Sequence, residues 1–132
     1  MSRASAGFGG IALSIGLVSI VALPLACGGA RTTPARGDRE ALQKTCATAR
    51  EVCNAKCGGD LECSPACSGG FSSCSDNIRG DDPREWQPSD AFYDGCLDEC
   101  SECEEACAAA QLSAARGSAA ILQKYGTMVF TD

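Results

Sequence analysis

Apolar positions divide the chain into two unlike parts. "IALSIGLVSIVALPLA", from Ile11 to Ala26, is an uncharged and largely aliphatic run, and no charge lies between Arg3 and Arg31. Beyond it large aliphatic side chains are sparse, and the recurring apolar feature is cysteine set among alanine and charge. Cys46, Cys53 and Cys57 stand at offsets 0, 7 and 11, and Cys63, Cys67 and Cys74 at 0, 4 and 11. Cys96, Cys100, Cys103 and Cys107 stand at 0, 4, 7 and 11. At about 100° per residue, each set lies on one narrow stripe of an α-helix.

This pattern predicts an all-α, disulfide-rich fold: a helical hairpin followed by a third cysteine-striped helix. The helices are expected near residues 39–57, 63–75 and 93–124, with a loop over 76–91 and a tail over 126–132. Asp38 suits a helix N-cap, "GGD" at 58–60 a stop, and Ser64 before Pro65 a second cap. Gly69 and Gly70 weaken the second helix by about 1 kcal/mol each relative to alanine. Gly117 is a candidate break in the third helix, and Gly126 its end. All three cysteine sets derive from one unit, C-x3-C-x2-C-x3-C, in which Arg50 and Gly70 stand where thiols are missing. Degenerate repeats and an ordinary buried stripe both fit.

The basic start and the apolar run predict an export signal over residues 1–26, a polar linker over 27–40 and a cysteine-rich domain over 41–125. A retained membrane anchor is the alternative. "LPLAC" resembles the lipobox of bacterial lipoproteins, which implies that Cys27, after Ala26, becomes a lipidated N-terminus. The chain departs from that pattern at Pro24 and Leu25, where the lipobox has leucine and a small residue. Cleavage after Ala30 would instead release a secreted form. Lipidation blocks the Cys27 sulfur and cleavage after Ala30 removes it, so either route leaves ten of the 11 cysteines, an even number at the density of a disulfide scaffold in an oxidising compartment.

Removing the signal takes away one basic residue, Arg3, leaving ten against 17 acidic ones and a net charge of −7. No basic stripe dominates, so nucleic acid is not an expected partner. Histidine is absent, which excludes Ser-His-Asp and Cys-His catalysis and mixed Cys/His zinc sites. No catalytic residues and no cofactor are assigned, and the chain is not expected to be an enzyme.

Cysteines within one helical turn have Cβ atoms about 5–6 Å apart, too far for the ~3.8 Å of a disulfide. Bonds must therefore join different helices. Cys57 and Cys63, Cys53 and Cys67, and Cys46 and Cys74 are each equidistant from Asp60. In an antiparallel hairpin equidistant residues come level, so these are the expected bridges, and Arg50 and Gly70 mark one that is missing as a pair. The Cys53–Cys67 spacing resembles the α-hairpinin scaffold, whose two helices carry bridged CX3C motifs; the likeness implies a hairpin and no activity. This leaves Cys96, Cys100, Cys103 and Cys107 without assigned partners. A mixed three-helix arrangement, with one bridge between the first two helices and two from each to the third, also closes every thiol.

The function expected is an exported, lipid-anchored, non-catalytic helical module of the bacterial cell envelope, acting by surface contact. Its membrane partner is reached through the lipid, and a homodimer can form through the Cys96–Cys107 helix, whose spacing is self-complementary. The alternative is a thiolate site for Cu(I) on Cys96, Cys100, Cys103 and Cys107. "CLDECSECEEAC" is similar in style to the CXXXC helices of bacterial copper-storage bundles. The Cys100–Cys103 CX2C pair also suggests redox exchange, though no βαβ pattern surrounds it.

Overall fold

A computed structural model describes residues 34–126. The expected signal, the first half of the linker with Cys27, and the tail beyond Gly126 lie outside the described residues.

Four α-helices and two short 3₁₀ turns make up this part, and no strand occurs among the described residues. Helix α1 is Arg36–Cys57, α2 Cys63–Asn77, α3 Pro88–Glu99 and α4 Glu104–Lys124, with 3₁₀ turns at Pro83–Glu85 and Ser101–Cys103. The all-α, disulfide-rich class is as the cysteine stripes predict. One helix is gained, because the segment expected to be continuous over 93–124 is two helices broken at Cys100, an extended residue at φ −158° and ψ 106°. Gly117, the candidate break, lies inside α4.

Each local boundary has a cause. Gly58 and Gly59 take φ values of 61° and 92°, the left-handed region that glycine tolerates, and end α1. Asp60 then caps α2, its Oδ1 accepting from the backbone N–H of Glu62 at 2.8 Å and Cys63 at 2.9 Å. Those two donors hold the Asp60 carboxyl below its ordinary pKa. The cap is thus Asp60 rather than Ser64, and Pro65 falls in the first turn, where a backbone N–H has no helical partner to lose. Asp38 is likewise not a cap: α1 starts two residues earlier, and the carboxylate binds the far end of α4. It accepts from Lys124 Nζ at 3.1 Å and Tyr125 Oη at 2.8 Å, and the tyrosine bond, then the lysine bond, lowers its pKa. Helix α3 opens with Pro88 at a first-turn position, within what the sequence presents as loop.

Helices α1 and α2 form one antiparallel hairpin and α3 and α4 a second, with α2 packed on α3 and α4 on α1. The α1–α4 pair is antiparallel: Asp38 meets Lys124 at one end, and Lys56 lies 3.7 Å from Glu105 at the other. Both hairpin turns therefore sit at the same end of a four-helix bundle.

With few large side chains available, close helix approach replaces bulk. A Cβ on Gly70 would lie 2.7 Å from the Phe92 ring, and one on Gly95 would collide with Ser73. One on Gly117 would lie 2.9 Å from Thr45. The glycines of α2 thus lower intrinsic helicity but admit α3. We expect Gly95→Ala to destabilise by about 1–3 kcal/mol through overpacking, lowering the thermal midpoint of the oxidised protein by several degrees. A midpoint equal to wild type would mean that α2 and α3 do not cross at this distance.

Candidate functional site

Four disulfides are present among the described residues: Cys46–Cys74, Cys53–Cys67, Cys57–Cys63 and Cys96–Cys107. The first three join α1 to α2 as nested rungs. The fourth joins α3 to α4, so every bond stays within its own hairpin. The mixed three-helix scheme is not what the chain adopts. Rung spacing also explains the missing pair: α3 seats Phe92 against Gly70, while the Arg50 guanidinium lies 4.2 Å from the centre of the Phe71 ring. A thiol at residue 70 would occupy the space of Phe92.

Six of the bonded cysteines, Cys46, Cys53, Cys67, Cys74, Cys96 and Cys107, are fully buried. Sulfurs of different bonds also touch. Cys57 Sγ lies 3.3 Å from Cys67 Sγ, and Cys53 Sγ 3.9 Å from Cys96 Sγ. Each of these atoms is already in an S–S bond and carries no proton, so the contacts are packing rather than hydrogen bonds. The second joins the two hairpins through a sulfur core.

The four-thiol Cu(I) set on Cys96, Cys100, Cys103 and Cys107 is corrected by the fourth bond. Cys96 and Cys107 are consumed by each other, leaving Cys100 and Cys103 as the free thiols among the described residues. The helix expected to offer a self-complementary face is interrupted at Cys100, and its outer thiols are bonded to each other. Two sulfur triplets have metal-like proximity, Cys53 with Cys67 and Cys96, and Cys57 with Cys63 and Cys67. All are disulfide sulfurs, and a thiolate ligand is available from them only after reduction.

The remaining thiols lie in a cleft of about 260 Å³ at the end of the bundle that carries both hairpin turns. Lys56, Asp60, Glu62 and Glu105 help to line it beside Cys100 and Cys103, with the Cys57–Cys63 bridge in its wall. Carboxylates outnumber cations here, so the cleft has a negative potential. Cys100 is half-buried, whereas Cys103 is buried. Burial pushes the Cys103 thiol up to about 11, helped by its hydrogen bond with Cys100 and by the negative charge of Asp60 and Glu102.

What the sequence reading missed is the division of the third cysteine set into a bonded outer pair and a free inner pair. The signal was present: Cys96 and Cys107, and Cys100 and Cys103, are each equidistant from the Ser101–Glu102 bond. It is the same mirror that marks Asp60. No protein-family model, no curated protein and no solved structure matches the chain.

Proposed function

We propose that the protein is an exported, lipid-anchored, non-catalytic helical module of the cell envelope that acts through surface contacts. The observation that carries this reading is the disulfide framework. Four bonds tie the four helices into two cross-linked hairpins whose core is largely cysteine and alanine. Such a core requires an oxidising compartment to close, and small exported domains rely on cross-links where burial alone is insufficient. The charge-free apolar run and Cys27 supply the route: export, acylation at the cysteine and a polar tether from Gly28 to the first helix.

Expression of the full-length chain in a bacterium with lipoprotein processing tests this directly. The wild-type protein is expected in the detergent phase of an envelope fraction, with a mass gain from acyl chains on Cys27. Cys27→Ala is expected to move it out of that phase while the four described disulfides remain. Recovery of the wild type in the cytosol with reduced cysteines would overturn the reading. An unacylated wild type secreted to the medium would overturn the anchor.

A further inference from the structure

We propose that Cys100 and Cys103 are a redox-active thiol pair, cycling between a dithiol and a fifth disulfide by exchange with small, cationic or neutral disulfides that enter the cleft. The site does not depend on the route of export.

Geometry is the first support. In a regular α-helix these positions would be held apart, but here the chain breaks at Cys100 and resumes through a 3₁₀ turn. The Cys103 N–H donates to the Cys100 carbonyl at 3.2 Å, the i to i+3 bond of such a turn. Residues three apart in a 3₁₀ turn eclipse one another and rise by about 6 Å. That lies inside the Cα separation a disulfide accepts, about 4.4–6.8 Å. Both thiols line the same cleft. They are free thiols at the place in the α3–α4 hairpin that the bonded Cys57 and Cys63 take in the first.

Access is the second support: Cys100 is half-buried at the cleft, as open to a reagent as the Cys57–Cys63 bridge in the same wall, whereas Cys96–Cys107 and the two outer rungs of the first hairpin are fully buried. Loop length separates the pair from Cys57–Cys63. A bond between residues three apart constrains the unfolded chain least of all the rungs, so its closure is the least coupled to folding. An accessible, weakly coupled cystine is the kind that exchanges.

Deprotonated Cys100 Sγ attacks one sulfur of an external disulfide RSSR, the external S–S bond breaks, and RS⁻ leaves and takes up a proton. Cys103 then loses its proton and attacks Cys100 Sγ in the mixed disulfide, expelling the second RS⁻. Two protein thiols are oxidised, one RSSR is reduced to two RSH, and two electrons pass. The high proton affinity of Cys103 leaves little thiolate at neutral pH, so the second step accelerates as pH rises toward 11. The carboxylates of Asp60, Glu62, Glu102 and Glu105 around the cleft disfavour anionic reagents.

The full chain, purified without reductant, can be equilibrated with cystamine/cysteamine or with glutathione disulfide/glutathione. Alkylation and peptide mass analysis then report each cysteine. A change of two hydrogen atoms confined to Cys100 and Cys103, reversible with the buffer ratio, is expected. At low salt cystamine should oxidise the pair about tenfold faster than glutathione disulfide, a gap that narrows as salt rises. Cys103→Ser should accumulate a mixed disulfide on Cys100, and Cys100→Ser should leave Cys103 unmodified at neutral pH. Failure of the pair to change oxidation state, or exchange spread over Cys57 and Cys63 as well, would overturn the proposal. Equal rates for the two reagents would overturn the electrostatic selectivity.

Discussion

Trp86→Ala is expected to destabilise the oxidised protein by about 3–5 kcal/mol, the range for removing a large buried aromatic. Trp86 is the largest fully buried side chain, in a core otherwise dominated by cysteine and alanine. It closes the end of the bundle opposite the thiol cleft. Its ring meets Tyr125 edge-on at 5.6 Å, its Nε1 donates to the Gly80 carbonyl at 3.0 Å, and the Arg39 guanidinium lies 5.6 Å from its centre. Arg39 Nη2 also donates to Gly80, at 3.3 Å. One residue thus pins the 78–87 loop to the start of α1 and the end of α4. A domain of this size has about 5–15 kcal/mol in total, so the variant should lose a large fraction of its margin. Chemical unfolding followed by far-ultraviolet circular dichroism measures it, since the chain has no other tryptophan to report by fluorescence. Trp86→Phe should lose less, retaining the apolar body without the indole N–H. A wild-type midpoint for Trp86→Ala would show that the loop does not close the bundle.

Trp86 also shows where sequence reasoning runs short. The loop around it is legible from Gly80, Pro83 and Pro88, but nothing in the spacing says that its tryptophan turns inward. Burial there is set by Tyr125 and Arg39, at sequence distances that periodicity cannot see. The helices of the first hairpin are legible because "GGD" punctuates them and the cysteine mirror fixes their level. The second hairpin has the mirror without punctuation: "CSEC" contains neither glycine nor proline. An i, i+4, i+7, i+11 set reads equally as one straight helix or as two short ones folded back. Over eleven residues a straight helix would separate Cys96 and Cys107 by about 16 Å, whereas the fold brings their Cα atoms to 5.8 Å. The rule that bonds join different helices holds. Its consequence, that a bonded set needs a turn inside it, locates the break between the paired cysteines.

Removing the outer rung of the first hairpin should cost more than removing the inner one. Cys46–Cys74 closes a sequence separation of 28 and Cys57–Cys63 one of only 6. In the chain-entropy model the loss rises with the logarithm of the loop, giving about 3–4 kcal/mol for the outer bond alone. The Cys53–Cys67 rung remains in either variant and reduces both costs, but unequally. It already confines the turn around Asp60, so the inner bond adds little there. It leaves the distant halves of α1 and α2 free to splay, and these are the parts the outer bond holds. Cys46 and Cys74 are also fully buried, so replacing both leaves a cavity as well as a longer loop. The comparison uses Cys46→Ala/Cys74→Ala against Cys57→Ala/Cys63→Ala, because a single replacement would leave a thiol free to exchange with its neighbours. Equilibrium unfolding without reductant should place the outer double variant clearly below the inner one. The reverse order would mean that the Asp60 turn, with its glycine stop and carboxylate cap, is not already fixed by its own hydrogen bonds.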